Sequence, residues 1–160
     1  MNNIHPFNNK LEYGLRATII LSLSYSREYD LNELSCLDYL VVHSGDFNHE
    51  LRSIHAPLPN RKSEIFIRRT LLNEGLDLFS KYCLVKPIYK KEGVYYKVTE
   101  ECEPFLDCLC EDYTSLVKER ALWAMNEYGG LDYMSLRNVI NKSSEVINSE
   151  IAFNNVVGEY

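Results

Sequence analysis

Imidazole and carboxylate side chains are concentrated in one stretch of the chain, where His43 and Asp46 are followed by His49 and His55. Three imidazoles and one carboxylate could bind a divalent metal ion or transfer protons in a hydrolytic reaction. The stretch follows a predicted helix, however, and polar side chains at a helix end commonly satisfy backbone groups. Three interpretations of His43 and Asp46 therefore stay open: structural capping, contact with a partner, and metal binding or catalysis.

The five cysteines provide no strong candidate for metal binding or nucleophilic catalysis. Their number is odd, no Cys-x-x-Cys pair occurs, and the group of Cys102, Cys108 and Cys110 has no histidine nearby. We expect reduced thiols that are buried as small core residues. The sequence also lacks a Gly-rich phosphate loop, a nucleophile elbow and a paired-carboxylate motif. It therefore predicts a protein that binds other macromolecules and has no enzymatic activity, bound metal or cofactor.

Two charged residues fall on apolar helix faces. At about 100° per residue, Asp38 lies within the apolar arc of one predicted helix and Arg68 within that of the next, while Arg69 lies at the border of the second arc. A buried charge without a partner costs several kcal/mol. The pattern predicts a buried Asp38–Arg68 ion pair that fixes the helix register. Contact with a phosphate or a partner carboxylate is the alternative for Arg68 and is equally open for Arg69.

Lysines and tyrosines are interleaved in a predicted β-hairpin over residues 84–98. The lysines are Lys86, Lys90, Lys91 and Lys97. Basic residues among aromatic ones can bind a nucleic-acid backbone and stack on its bases. The alternative is a solvated, charged wing that protects an edge strand from pairing with other chains.

Charge is unevenly distributed along this chain, whose net charge is −6. Residues 1–60 contain four Lys/Arg and seven Asp/Glu, residues 61–97 contain nine and four, and residues 98–160 contain four and twelve. A basic block between acidic flanks is suited to nucleic acid or to an acidic protein partner. The acidic total argues against tight DNA binding by the chain alone.

Capping signals and hydrophobic periodicity predict helices at about 10–24, 31–43, 61–82, 100–110, 113–128 and 133–141. Asn9 and Asp30, each followed three residues later by glutamate, predict capping boxes. Gly14 predicts the close approach of another backbone, and Pro87 restricts its strand to a sheet edge. Glu12 and Arg16 are expected to form an i,i+4 pair.

The order helix, helix, long loop, helix and hairpin is that of a winged helix-turn-helix. The loop is too long for a DNA-reading turn of about three or four residues. We therefore predict a mainly α protein, with a winged-helix-like domain and one β-hairpin over residues 1–111 and a C-terminal helical extension over residues 112–160. No apolar run approaches the ~20 residues that span a bilayer, and the N-terminus has no signal-peptide pattern, so we expect a cytoplasmic protein.

Five short blocks, taken in order, resemble the middle component of bacterial ABC-three-component systems, the group that includes Lamassu-type defence. The blocks are LEYGLRA at 11–17, LDYLVVHSGD at 37–46, HAPLPNR at 55–61, IRR at 67–69, and TEE with PFL at 99–106. The resemblance covers about residues 7–140.

The resemblance implies a non-enzymatic subunit beside an SMC-like ATPase that senses phage or plasmid DNA and an effector that is often a nuclease. The subunit would link the two and help hold the effector inactive, with DNA contacted only within the complex. The alternative is a winged-helix transcriptional regulator that binds DNA itself. Cys83 stands where the family usually has glycine after the third helix. A left-handed cap would be strained there, which predicts that this helix ends differently here.

Overall fold

The computed structural model describes residues 9–24, 26–56 and 61–144, with residues 61–66 described by their backbone alone. The described chain is mainly helical, as predicted. The helices are α1 (Lys10–Ser22), α2 (Leu31–Val42), α3 (Arg61–Lys81), α4 (Cys102–Asp107) and α5 (Asp112–Tyr128). Residues 133–144 are also helical and are called α6. The strands are β1 (Tyr29–Asp30), β2 (Val85–Lys90) and β3 (Gly93–Val98), and a single 3-10 turn (Ser44–Asp46) follows α2.

The three strands form an antiparallel sheet in the order β1-β3-β2. The hairpin of β2 and β3 is confirmed, and Pro87 lies in the edge strand, where its missing N–H donor is tolerated. Sequence reasoning missed β1, whose Tyr29 pairs with Tyr96 and whose Asp30 pairs with Tyr95. A strand of two residues has no alternating pattern that could reveal it.

Both predicted helix caps use the expected residue, but only one is a complete capping box. At α2, Asp30 Oδ1 accepts the Glu33 N–H at 2.8 Å, and Glu33 Oε2 accepts the Asp30 N–H at 3.1 Å. At α1, Asn9 Oδ1 accepts the Glu12 N–H at 3.1 Å. The Glu12 carboxylate does not return to Asn9, because Arg16 and Tyr113 hold it elsewhere.

Helices α1 and α3 cross at two glycines, which confirms the close approach predicted at Gly14. A Cβ on Gly75 would lie 2.5 Å from the Gly14 nitrogen, and a Cβ on Gly14 would lie 2.8 Å from the Gly75 carbonyl oxygen. No side chain fits between the two backbones at this point. The crossing therefore brings the buried faces of α1 and α3 into direct contact.

The hydrophobic core continues into the C-terminal part of the described chain. Val117, Ala121 and Ala124 of α5 and Leu136 and Ile140 of α6 belong to the same cluster of buried residues as the core of α1, α2 and α3. The core therefore runs across residue 111, where the sequence placed the boundary between domain and extension. Residues 145–160 of the predicted extension lie outside the described residues.

Only two of the five thiols are buried. Burial raises the pKa of Cys36 to about 12 and that of Cys102 to about 11. Cys83, Cys108 and Cys110 are exposed, so the prediction of buried thiols is wrong for these three. Helix α4 ends at Asp107 rather than reaching Cys110, which leaves Cys108 and Cys110 on the short connection to α5.

Helix α3 ends on a left-handed cysteine. Cys83 has a φ of 59°. The Leu84 N–H donates to the Phe79 carbonyl and the Cys83 N–H to the Ser80 carbonyl, both at 3.0 Å, which is the bond pair of a Schellman motif. The prediction that this helix ends differently without glycine is therefore wrong. The Thr99 hydroxyl donates to the Cys83 carbonyl and holds this turn against the end of β3.

Replacing Cys83 with glycine should stabilise the protein. The left-handed conformation costs other residues roughly 1–2 kcal/mol, part of which is offset by the greater entropy of glycine in the unfolded chain. We expect a gain of about 0.5–1 kcal/mol in the free energy of unfolding, measured with urea. Cys110→Gly is the matched control, because Cys110 is exposed and lies outside the left-handed region. An equal gain in both variants, or none in Cys83→Gly, would contradict the strain argument.

Candidate functional site

The structure brings the predicted pair of Asp38 and Arg68 together and adds a second arginine. Asp38 on α2 has no exposed surface. Arg68 Nη1 on α3 donates to Asp38 Oδ2 at 2.5 Å. From α1, Arg16 Nε donates to Oδ1 at 2.5 Å and Nη2 to Oδ2 at 3.1 Å. The carboxylate therefore joins three helices through three charged hydrogen bonds.

A second carboxylate balances the second arginine. Glu12 Oε1 accepts a hydrogen bond from Arg16 Nη1 at 2.8 Å and another from the Tyr113 hydroxyl on α5. His55 Nε2, in the segment after α2, lies 3.3 Å from the same oxygen. We call Glu12, Arg16, Asp38 and Arg68 the ion cluster. It contains two negative and two positive groups, so its formal charge is zero.

Aromatic rings enclose the two guanidinium groups. The Arg16 guanidinium lies 4.4 Å from the centre of the Tyr13 ring, and the Arg68 guanidinium lies 5.4 Å from the centre of the Tyr39 ring. Cation–π contacts are worth about 2 kcal/mol or more when the cation is desolvated. These rings therefore recover part of the free energy that dehydrating the arginines costs.

Neighbouring charges oppose the effect of burial on the pKa of Asp38 and on that of Arg16. Burial alone would raise the pKa of Asp38, but the charges and hydrogen bonds of Arg16 and Arg68 outweigh it and lower that pKa. Burial likewise disfavours charged Arg16, yet Asp38 raises the pKa of this guanidinium above its ordinary value. Burial also raises the pKa of Tyr113. The buried Asp38 carboxylate therefore holds α1, α2 and α3 together through its two arginine partners.

The histidines that follow α2 differ in their surroundings. His43 is buried with its ring centre 4.6 Å from that of Tyr39, His55 approaches Glu12, and His49 is exposed. The backbone carbonyl of Asp46 accepts a hydrogen bond from the Ser143 hydroxyl at 3.1 Å. Within the part of the chain that the structure describes, no group of three His, Cys, Asp or Glu residues could hold a metal ion.

Arg69 is exposed at the edge of a groove of about 210 Å³ between α2, α3 and α6. Its Nε donates to Asn32 Oδ1 at 3.0 Å. Arg137 of α6, also exposed, lines the same groove and lies over the Tyr133 ring. Among the described residues neither guanidinium has a carboxylate partner, so the two charges are available to an acidic group from outside.

The predicted lysines lie on one face of the sheet, with Lys91 in the turn. Lys86 is directly opposite Lys97 in the register, and Lys90 is opposite Gly93 on the same face. The Lys90 ammonium lies 2.5 Å from a Glu28 carboxylate oxygen and 4.6 Å from the centre of the Tyr95 ring. Like charges directly opposite each other destabilise a strand pair. Glu28 already offsets one of the lysine charges, that of Lys90. We call the surface formed by Lys86, Lys90 and Lys97 the lysine face.

The model of the family described as ABC-three component (ABC-3C) system Middle Component 2 matches residues 6–150. The chain belongs to this family. The match extends from before α1 to beyond α6 and confirms the resemblance at the level of the middle component. Neither a curated protein nor a solved structure matches the chain. None of the helices in the described ranges combines the length and apolar composition needed to cross a bilayer.

For this Middle Component 2 protein, the predicted pair of Glu12 and Arg16 is confirmed. Sequence reasoning missed the contact of Arg16 with Asp38 and the roles of Tyr113 and Arg137. One signal could have revealed Arg16. It lies in the middle of a helix that is apolar on most sides, so its charge is expected to be buried and to require a partner beyond its own turn. Tyr113 and Arg137 had no such signal, because their roles depend on how α5 and α6 pack against the first three helices.

The two halves of the predicted pair should contribute unequally to stability. Asp38→Asn leaves two buried guanidinium groups without their shared carboxylate and should cost about 3–5 kcal/mol. Arg68→Met should cost only about 1–3 kcal/mol, because Arg16 still neutralises Asp38 through two hydrogen bonds. Urea unfolding measures both, and Arg69→Met on the exposed side of α3 should stay within about 0.5 kcal/mol of wild type. Equal costs for the two buried variants would show that Arg16 does not compensate.

The contribution of Asp38 to the free energy of unfolding should disappear at acidic pH. Because its pKa is lower in the folded protein than in the unfolded chain, the ionised group stabilises the fold above the ordinary Asp pKa of about 3.9. That stability is lost as the pH falls through the lowered pKa. The difference in unfolding free energy between wild type and Asp38→Asn should therefore shrink as the pH falls from about 5 towards about 2. A difference that stays constant over this range would contradict the assignment.

Proposed function

We propose that this protein is a non-catalytic adaptor and regulatory subunit of a cytoplasmic, Lamassu-type defence complex. It links an SMC-like ABC ATPase, which senses phage or plasmid DNA, to an effector nuclease and helps hold the effector inactive. The observation that carries the proposal is the family match over residues 6–150. The family is one of middle components of three-component systems, and a middle component acts together with other subunits.

The order of elements supports a winged-helix-like domain within this subunit. Helix α1, strand β1, helices α2 and α3 and the hairpin follow one another, and β1 pairs with β3 at the side opposite β2. The connection between α2 and α3 spans residues 43–60, whereas a DNA-reading helix-turn-helix joins its helices through about three or four residues. We therefore infer that this domain binds mainly to other proteins.

The charges of the described residues support the absence of a catalytic role. The ion cluster pairs its acids and bases with one another in the interior, and the Arg69 and Arg137 guanidinium groups are at the surface. A guanidinium stays protonated at ordinary pH and is not suited to acid–base catalysis, but it binds carboxylates well. The groove that they line is an adaptor surface for an acidic segment of another subunit.

The adaptor proposal predicts a complex of three different proteins. A tagged copy of the chain, co-expressed with the ATPase and effector of its own system, should retain both partners through affinity purification and gel filtration. Arg69→Glu together with Arg137→Glu should fold and lose one partner, because the replacement carboxylates repel an acidic segment. Lys142→Glu, a charge reversal at an exposed position of α6, is the matched control. Purification of the wild-type chain without either partner would overturn the proposal.

A second candidate function, DNA binding by a winged-helix regulator, is favoured by one observation. Lys86 and Lys97 face each other on a sheet surface that also contains Lys90 and Tyr95. That surface belongs to a chain whose net charge is −6, and non-specific DNA affinity depends on how many phosphates the protein neutralises. We therefore assign the lysine face to DNA that the complex already holds.

The isolated chain should bind duplex DNA only weakly. Fluorescence anisotropy at physiological salt should give a dissociation constant above the micromolar range, because acidic segments outweigh the lysine face. Within the complex, Lys86→Ala with Lys97→Ala should reduce DNA affinity, whereas Lys81→Ala at the exposed end of α3 should not. Sub-micromolar binding by the isolated chain that is lost in Lys90→Ala with Lys91→Ala would favour the regulator instead.

A further inference from the structure

A second groove of the described chain has an apolar floor, and none of the residues that line it belongs to the ion cluster. It measures about 540 Å³ and is formed by the end of α1, the end of β3, α4 and α5. We call it the α4–α5 groove. Its apolar lining consists of Ile19, Leu23, Val98, Leu106 and Leu122. Leu122 is 50% exposed, although the opposite side of α5 is fully buried.

Carboxylates surround this apolar floor. Glu100, Glu103, Asp107 and Glu119 line the groove together with Lys97 and Lys118. The Lys118 ammonium is directed to the Leu106 carbonyl at 2.7 Å, which satisfies the end of α4. Glu119 accepts a hydrogen bond from Arg120. Among the described residues, Glu100, Glu103 and Asp107 have no cationic partner, so the rim retains an excess of negative charge.

We propose that the α4–α5 groove binds one amphipathic helix of a partner subunit, with an apolar face flanked by Lys and Arg. The inference rests on the adaptor function and specifies the chemistry of one partner. An engineered cavity of about 150 Å³ holds a benzene molecule, so the larger groove has room for several apolar side chains. Helices that lie in grooves insert such residues at positions i, i+3 or i+4, and i+7.

The charges of the rim select this occupant. Basic residues beside the apolar face of the helix would neutralise the three carboxylates that have no partner, and complementary charges increase both association rate and specificity. The phosphates of DNA would be repelled by the same carboxylates. The acidic groove and the lysine face therefore bind different kinds of partner, although Lys97 borders both.

The test uses the full chain with its co-expressed ATPase and effector, and measures the dissociation constant of each partner from purified components. Leu122→Asp should raise the dissociation constant of one partner at least tenfold, because it places a charge on the apolar floor. The double variant Glu100→Lys with Glu103→Lys should weaken binding of the same partner and make that binding less dependent on salt. Met134→Asp, at a 60% exposed position of α6 outside the groove, is the matched control and should bind normally. Unfolding in urea establishes that each variant is folded.

The outcomes separate this inference from the adaptor function. A wild-type chain that binds neither partner overturns both. A wild-type chain that binds its partners, with Leu122→Asp binding them equally well, overturns the groove and leaves the adaptor function in place. Loss of binding in Leu122→Asp alone, with the double lysine variant unaffected, overturns the basic helix as occupant. A wild-type homodimer that Leu122→Asp dissociates would show that a second copy of this chain covers the groove.

Discussion

A single carboxylate without solvent access is the constraint on which the packing of the first three helices depends. Asp38 is acceptable in the core only because Arg16 and Arg68 reach it from α1 and α3, since an unpaired buried charge costs several kcal/mol. The crossing of α1 and α3 at Gly14 and Gly75 makes this geometry possible. With a Cβ on either glycine the helices would separate, and two guanidinium groups could no longer share one carboxylate. The glycine pair and the ion cluster are therefore two parts of one arrangement.

The ion cluster also connects α5 to the first three helices. Tyr113 on α5 donates to Glu12, and His55 approaches the same carboxylate oxygen. Polar contacts of this kind are directional, so they select one arrangement among the many that apolar contacts alone would tolerate. The buried alanines of α5 then allow that helix to lie close to α1 and α2. The contact between Tyr113 and Glu12 therefore ties α5 to the first three helices.

Much of this architecture could be predicted from the sequence, because helices, caps and hairpins depend on local patterns. The capping box at Asp30 and the inward direction of Asp38 and Arg68 follow from spacing. The edge position of Pro87 follows from its missing N–H donor. The rest depends on contacts between distant segments. Strand β1 exists because β3 offers Tyr29 a partner, and Cys83 remains left-handed because the Schellman bonds and Thr99 hold its turn. The partners of Arg16 likewise come from two other helices.

The fold shows where the basic and acidic segments of the sequence lie. The basic block of residues 61–97 contains Arg68, whose charge is paired with Asp38 in the interior. It also contains the lysines of the sheet, which lie at the surface. The acidic segment that follows contributes the rim of the α4–α5 groove. In the adaptor function proposed above, the two surfaces would give specificity, because a partner suited to the charge of one surface is repelled by the charge of the other.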